Sequence, residues 1–132
     1  MKYDEFIKHV QAVGQISTRE AAQRATQATL ETIKERIVGD EAKDLAAQLP
    51  EPLAKCLHGR EGENGGHFDF QEFIRRVSEK EEIEPTTAAM HVRAVFTVLQ
   101  DSVSPGEFND LQANFSADYA ELFSAPNSEL ST

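Results

Sequence analysis

The 132 residues of the sequence include no tryptophan and only one cysteine, Cys56. A lone cysteine cannot form an intramolecular disulfide, so an oxidising compartment is not implied. Cys56 falls in an apolar stripe with Leu53 and Leu57, and no neighbour in the sequence would activate its thiol. We therefore interpret Cys56 as a buried core residue and not as a nucleophile.

Positive charge is also scarce, because 13 lysine and arginine residues stand against 23 aspartate and glutamate residues, for a net charge of −10. This excess repels nucleic-acid backbones and anionic membrane surfaces, so we expect no nucleic acid and no membrane as a partner. It suits a partner protein that has a basic patch. No long hydrophobic run resembles a signal peptide or a membrane span, and we expect a cytoplasmic protein.

The chain lacks sustained alternation of apolar and polar residues, which predicts an all-α fold without a sheet. Instead, one apolar skeleton occurs twice, beginning with segment 3–10 (YDEFIKHV) and segment 70–77 (FQEFIRRV). Further along, residues 66 positions apart correspond: Ile33 with Leu99, Glu41 with Glu107, Asp44 with Asp110, and Leu45 with Leu111. The repetition indicates one structural unit built twice.

We predict two pseudo-symmetric four-helix repeats, residues 1–57 and 69–123, packed into one helical bundle. A repeat of about 55 residues lies near the lower size limit for an independent core, so the repeats should share apolar surface. Residues 58–68 form a glycine-rich acidic loop between them, which we call the joining loop. This loop has almost no apolar residue and is not expected to pack. Residues 124–132 are predicted to form a disordered tail.

Capping residues predict the helix boundaries within each repeat. Apolar positions up to Val13 should form the inward stripe of a first helix that Gly14 ends. The segment Ser17–Glu20 (STRE) is a capping box that begins a long alanine-rich helix, and Pro85 suits the first turn of its counterpart. Further N-caps are expected at Asp40, Asp69, Ser104 and Ser116.

The joining loop contains the sharpest candidate for chemistry. Residues 61–72 resemble an EF-hand calcium loop, with glycine sixth, aspartate ninth and glutamate twelfth. The candidate ligands are Glu61, Glu63, Asp69 and Glu72, but the fifth position is a glycine and offers no side-chain ligand. The segment from Asp69 to Glu72 also begins the second repeat, which accounts for it without a metal.

Two histidines, His58 and His67, flank the same loop and could join its carboxylates around a transition metal. Solvated histidines are the simpler interpretation, because no cysteine and no close histidine spacing supports a site. We therefore assign no metal ligand, with the four loop carboxylates as the weak candidates.

The sequence has no nucleophile elbow, no phosphate-cradling glycine loop after a strand, and no basic stripe. The acidic run Glu79–Glu84 falls between two predicted helices, and we interpret it as solvated surface. His91 is expected to be structural or exposed. Aromatic residues concentrate in the second repeat at inward positions, where they should fill the core. We predict no catalytic residue and no cofactor.

The pattern Phe-Ile-x-x-Val, followed by an alanine-rich helix and by segment 44–50 (DLAAQLP), resembles the bacterial domain-of-unknown-function 2267 family. The resemblance covers Tyr3 to about Phe123. In the second copy, segment 110–116 (DLQANFS) lacks the proline, so the helix junction there is expected to differ. The resemblance implies a small helical bacterial protein, and it implies no particular activity and no catalytic residues.

These observations favour a non-enzymatic protein-interaction or adaptor module that acts as a monomer or a weak homodimer. The alternative is a metal- or small-ligand-binding protein that uses the 61–72 loop or a pocket between the repeats.

Overall fold

The computed structural model describes residues 1–123, and within that range it contains eight α-helices and no β-strand. The prediction of an all-α fold is confirmed. The helices are α1 (Tyr3–Gly14), α2 (Arg19–Arg36), α3 (Gly39–Ala46), α4 (Glu51–Ala54), α5 (Phe70–Glu81), α6 (Pro85–Ser102), α7 (Pro105–Gln112) and α8 (Ala120–Phe123). Short 3₁₀ segments, Lys55–Leu57 and Ala117–Tyr119, follow α4 and precede α8. The predicted tail, 124–132, lies outside the described residues.

Helix lengths recur in the same order along the chain. α1 and α5 have 12 residues each, α2 and α6 have 18, and α3 and α7 have 8. The four long helices form the bundle, because α1 and α5 each pack against both α2 and α6. α3 and α7 contact each other and join the first half of the chain directly to the second. No helix in residues 1–123 has both the length and the apolar character needed to cross a bilayer.

The buried apolar residues form one continuous core cluster. Its largest fully buried side chains come from both halves of the chain: Phe6, Ile7, Leu30, Ile33, Ile37, Leu45, Leu57, Phe73, Phe96, Leu99, Leu111 and Tyr119. The halves therefore share apolar surface. Val13 is an exception to the predicted stripe of α1, because its side chain is 49% exposed and the buried stripe ends at Val10.

Aromatic rings of the second half pack around Phe73. Its ring centroid lies 5.8 Å from that of Tyr119, 6.2 Å from Phe96 and 6.3 Å from Phe115, all in edge-to-face arrangements. Edge-to-face pairs stabilise a core beyond the area they bury, because the positive ring edge meets the negative ring face. The prediction that these aromatic residues fill the core is confirmed.

Two boundaries predicted in the first half are wrong by one residue. α1 runs through Gly14, and Gln15 adopts the left-handed conformation, with φ of 51°, that ends the helix. Thr18 caps α2 in place of Ser17, because extended backbone at Thr18 lets its Oγ1 accept a hydrogen bond from the Ala21 N–H at 3.1 Å.

Asp40 does not cap α3, as the sequence predicted. The helix begins one residue earlier, at Gly39, so Asp40 lies inside the first turn, where a carboxylate complements the helix dipole. Its Oδ1 instead accepts a hydrogen bond from the Gly62 N–H at 3.3 Å, which attaches the joining loop to α3.

The predicted helix starts in the second half are mostly confirmed. Asp69 and Ser104 cap α5 and α7, each accepting a hydrogen bond from the N–H three residues ahead. Pro85 is the first residue of α6. Ser116 occupies the N-cap position of the last 3₁₀ segment but makes no capping bond, because its hydroxyl donates to Asp118.

The joining loop packs on the first half through its backbone. The Gly39 N–H donates to the Glu63 carbonyl at 2.9 Å, and the Gly66 N–H donates to the Glu35 carbonyl at 3.0 Å. The expectation that this loop does not pack is therefore wrong. Glycine makes close contact possible, because main chain can approach main chain where no Cβ intervenes.

Replacing Gly39 by alanine is expected to lower the free energy of unfolding by about 1–3 kcal/mol, the usual cost of overpacking. The added Cβ would lie 1.7 Å from the Arg60 carbonyl oxygen, so the joining loop must move. Gly106, in the first turn of α7, is the matched control, because a Cβ there meets no atom within 4 Å. Gly106→Ala should be neutral or stabilise by about 0.5–1 kcal/mol. Urea denaturation of both variants measures the difference, and equal effects would contradict the packing of the loop on Gly39.

Candidate functional site

The loop carboxylates Glu61 and Glu63 are engaged by their own neighbours. Glu61 accepts hydrogen bonds from the Gly59 N–H at 3.2 Å, and its Oε2 lies 3.2 Å from His58 Nδ1. Backbone N–H groups, its own and that of Gly59, lower the pKa of Glu61, and His58 lowers it further. Glu63 pairs with Arg60 at 3.2 Å.

The other two candidate ligands belong to α5. Asp69 caps the helix, and Glu72 accepts hydrogen bonds from Arg75 at 2.7 and 2.8 Å and from Arg76 at 2.9 Å. These bonds, Arg75 first, lower the pKa of Glu72 to about 2. Nowhere in residues 1–123 are three or more His, Cys, Asp or Glu side chains arranged to hold a metal ion. The structure therefore does not bring the four carboxylates of the calcium-loop interpretation together.

A polar contact between the two halves is organised around Arg36, the last residue of α2. Its guanidinium is buried and donates from Nε to the Phe68 carbonyl at 2.8 Å and from Nη1 to the Asn114 carbonyl at 2.9 Å. Nη2 donates to Ser116 Oγ at 3.3 Å. These acceptors lie in the joining loop and in the segment after α7, so one side chain connects α2 to both.

Two aromatic rings and a cavity border the same guanidinium. Its central carbon lies 5.4 Å from the ring centroid of Phe115 and 5.2 Å from that of Tyr119, within cation–π range. Burial raises the pKa of Tyr119 to about 12, and its hydroxyl donates to the Phe68 carbonyl at 2.7 Å. A cleft of about 250 Å³ opens beside Arg36, with His67 in its lining. Its lining comes from α2, the joining loop and the segment after α7.

A second junction forms where Glu41 of α3 meets Glu107 of α7. The two carboxyl groups are hydrogen-bonded to each other, and Asp44 and Asp110 add negative charge nearby. Burial, assisted by Glu107, raises the pKa of Glu41 to about 9, because two adjacent carboxylates cannot both ionise cheaply. One oxygen of each, Oε2, is buried and accepts from no N–H or hydroxyl donor in residues 1–123. Glu41 therefore retains its proton at neutral pH, and this proton is shared in the hydrogen bond to Glu107.

Reciprocal hydrogen bonds flank this carboxyl pair. Gln48, just beyond α3, accepts a hydrogen bond at 2.8 Å from the N–H of Ser104, which precedes α7. Asn114, just beyond α7, accepts one at 3.4 Å from the N–H of Val38, which precedes α3. Each helix start is thus held by an amide side chain from beyond the end of the other helix.

Glu81 and His91 form a buried pair that connects the end of α5 to α6. Glu81 Oε1 lies 2.9 Å from His91 Nδ1, and both residues are only 8% exposed. The interpretation of the acidic run as solvated surface is wrong at Glu81, because α5 continues to this residue and turns it toward α6. The expectation of a structural His91 agrees with its burial.

Cys56 is half-buried, where the sequence predicted full burial. Its Sγ donates to the Pro52 carbonyl at 3.7 Å. Burial raises the pKa of the thiol, which lowers the thiolate population that a nucleophile would need. The thiol borders a cavity of about 340 Å³ together with Tyr3 and Lys55.

A comparison with models of protein families gives a match that covers both halves of the chain. The family model described as "Uncharacterized conserved protein (DUF2267)" matches residues 3–122. The chain belongs to the DUF2267 family. The resemblance found in the sequence is confirmed, whereas no curated protein matches this DUF2267 chain.

Sequence reasoning had a signal for one of the two junctions in this DUF2267 protein. The register of 66 residues pairs Glu41 with Glu107 and Asp44 with Asp110, although most surface positions differ between the copies. Recurrent carboxylates among variable surface positions could have identified the α3–α7 junction. Arg36 had no such signal, because its acceptors are backbone carbonyls distant in sequence.

Stability of this DUF2267 protein is expected to fall as the pH rises from about 4.5 to about 9. The pKa of Glu41 is raised from 4.5 to about 9 in the folded state, so between these values the native protein retains a proton that the unfolded chain releases. The favourable contribution is complete below the unfolded value and is lost as the pH approaches the folded value. Urea midpoints near pH 5 and near pH 8 measure the decline.

Glu41→Gln should flatten this decline, because an amide can hydrogen-bond to Glu107 without ionising. Glu84→Gln is the matched control, since it removes an exposed carboxylate outside the junction. The control should retain the wild-type pH dependence. A wild-type decline in Glu41→Gln would contradict the shared proton.

Proposed function

We propose that this DUF2267 protein is a non-enzymatic protein-interaction module and that helices α3 and α7 form its binding surface. One observation carries the proposal: Glu41, Asp44, Glu107 and Asp110 gather at this junction, and none of them forms an ion pair within residues 1–123. The negative field of these carboxyl groups adds to the effect of burial on Glu41, and it also attracts cationic groups from solution.

The two aspartates are the groups that a partner can reach. Asp44 and Asp110 are exposed, whereas Glu107 is buried and Glu41 is partly buried beneath them. A partner that presents lysine or arginine side chains would supply the missing counter-charge. Charge complementarity of this kind raises association rates and selects among partners. The net charge of −10 acts in the same direction.

We further propose that residues 1–57 and 69–123 are two copies of one four-helix module, related by an approximate twofold axis between α3 and α7. The equal helix lengths and the reciprocal bonds of Gln48 and Asn114 support this relation. A twofold contact is self-complementary, so an on-axis residue meets its own counterpart. Glu41 meets Glu107 in this way. A partner would then find two equivalent aspartates on one surface.

This arrangement also bears on assembly and location. If the self-complementary contact forms within one chain, it has no need of a second copy, which supports a monomer or at most a weak homodimer. A single cysteine and an acidic composition support a location in the cytoplasm, and the family resemblance implies a bacterial source.

Removing the exposed charges is expected to release the partner. Immobilised wild-type protein should retain a basic protein from native lysate that the double variant Asp44→Asn/Asp110→Asn no longer retains, because the counter-charge is gone. The matched control, Glu84→Gln/Asp101→Asn, removes two exposed carboxylates elsewhere and should retain it. Binding of the purified partner should also weaken as salt increases. Equal retention by all three proteins would contradict the proposed surface.

The twofold relation predicts similar roles for Gln48 and Asn114. Replacing either by alanine should lower the free energy of unfolding by about 1 kcal/mol, as the loss of a helix cap does. Gln112→Ala, at an exposed position of α7, should change it little. Chemical denaturation of the three variants measures the comparison. A large loss at one amide position and none at the other would contradict equivalent roles.

A further inference from the structure

Arg36 is the only lysine or arginine that is buried within residues 1–123. Its side chain is permanently charged, and the residue is 6% exposed. Its direct hydrogen-bond acceptors are all neutral: two backbone carbonyls and the hydroxyls of Ser116 and Tyr119. No carboxylate oxygen of residues 1–123 lies within 4.0 Å of its nitrogen atoms. A buried charge normally has a counter-ion, so this one lacks its usual partner.

The acidic group that acts on Arg36 does so through an intermediary. Arg36 donates to Ser116, whose hydroxyl in turn donates to Asp118. Asp118 also accepts a hydrogen bond from the Phe70 N–H at 2.6 Å. The Ser116 hydroxyl and the Phe70 N–H together lower the pKa of Asp118, and Arg36 is a smaller cause. Asp118 is thus stabilised mainly by other donors and compensates the guanidinium only in part.

The guanidinium borders the cleft of about 250 Å³ that lies between the halves. Gly65 and His67 of the joining loop line one part of this cleft, and Ala113 and Asn114 beyond α7 line another. No acidic residue lines it, although the chain has 23. The cleft is smaller than the pockets of about 300–1,000 Å³ that hold drug-sized molecules, so its volume suits a small group.

We propose that this cleft binds a small oxyanion, the phosphate or carboxylate group of a ligand, on the guanidinium of Arg36. Arginine has five N–H donors in a planar fork; the two carbonyls and the Ser116 hydroxyl engage one donor on each nitrogen, and the Tyr119 hydroxyl accepts from the same guanidinium. The remaining donors suit an oxyanion, whose charge would replace the missing counter-ion. This inference is independent of the acidic surface on α3 and α7.

Titration with inorganic phosphate and, separately, with acetate tests the site. Two-dimensional ¹H–¹⁵N spectra of the full chain should show saturable shifts of the Gly65, His67 and Asn114 amides, at an ionic strength held constant with sodium chloride. Saturation by phosphate alone identifies a phosphate site, and saturation by acetate identifies a carboxylate site. Shifts that stay linear in both titrations, or that spread over the surface without favouring these amides, would overturn the proposal.

Ala113→Glu is the decisive variant, because it adds a carboxylate to the cleft lining and leaves the hydrogen bonds of Arg36 in place. Anion affinity should fall about tenfold or more, the size of one lost charge-assisted contact. Ala47→Glu is the matched control, since Ala47 and Ala113 are the exposed residues directly after α3 and α7 and have the same helical backbone conformation. It should bind as wild type does. Unchanged affinity in Ala113→Glu would overturn the site, whereas Asp44→Asn/Asp110→Asn should retain it even if the protein-binding role fails.

Discussion

The buried guanidinium of Arg36 is the interaction on which the junction of the two halves depends. It ends α2, reaches the joining loop through the Phe68 carbonyl, and reaches the segment beyond α7 through Asn114 and Ser116. A side chain with five donors can hold two separate segments against its own helix at once, which no apolar residue can do. Burial makes this role demanding, because a charge removed from water must keep its hydrogen bonds. The loop and the aromatic rings that enclose it are therefore ordered together.

Opposite electrostatic environments lie close together at this junction. The Arg36 cleft has a cation without a direct counter-ion, whereas the Glu41–Glu107 pair has two carboxyl groups without a cation. The bond between Val38 and Asn114 lies between them along the chain. A charged group whose partner is neutral or absent costs folding free energy. Uncompensated charges of both signs therefore mark candidate binding sites in a protein of this size. Both environments occur where the halves meet, and each of them takes residues from both halves.

Periodicity and capping chemistry predicted most of the fold, because both act over a few residues. The helical spacing of Phe6, Ile7 and Val10, and the caps at Asp69 and Ser104, follow from local geometry. The misses have a different cause. The choice of Thr18 over Ser17 as the cap of α2 depended on the backbone conformation of one residue. The Glu81–His91 pair depended on how α5 packs against α6. The site around Arg36 involves residues eighty positions apart, which no local pattern encodes.

The two halves have long helices of the same lengths but differ in the side chains that pack between them. In the proposed repeat register, Leu53 of the first half corresponds to Tyr119 of the second, whose ring is fully buried among other aromatic rings. Leu53 lines a cavity of about 340 Å³ together with Gln23 and Lys55. The aromatic rings that flank the Arg36 guanidinium, Phe115 and Tyr119, therefore come from the second half, and the first half has no aromatic residue at the position that corresponds to Tyr119.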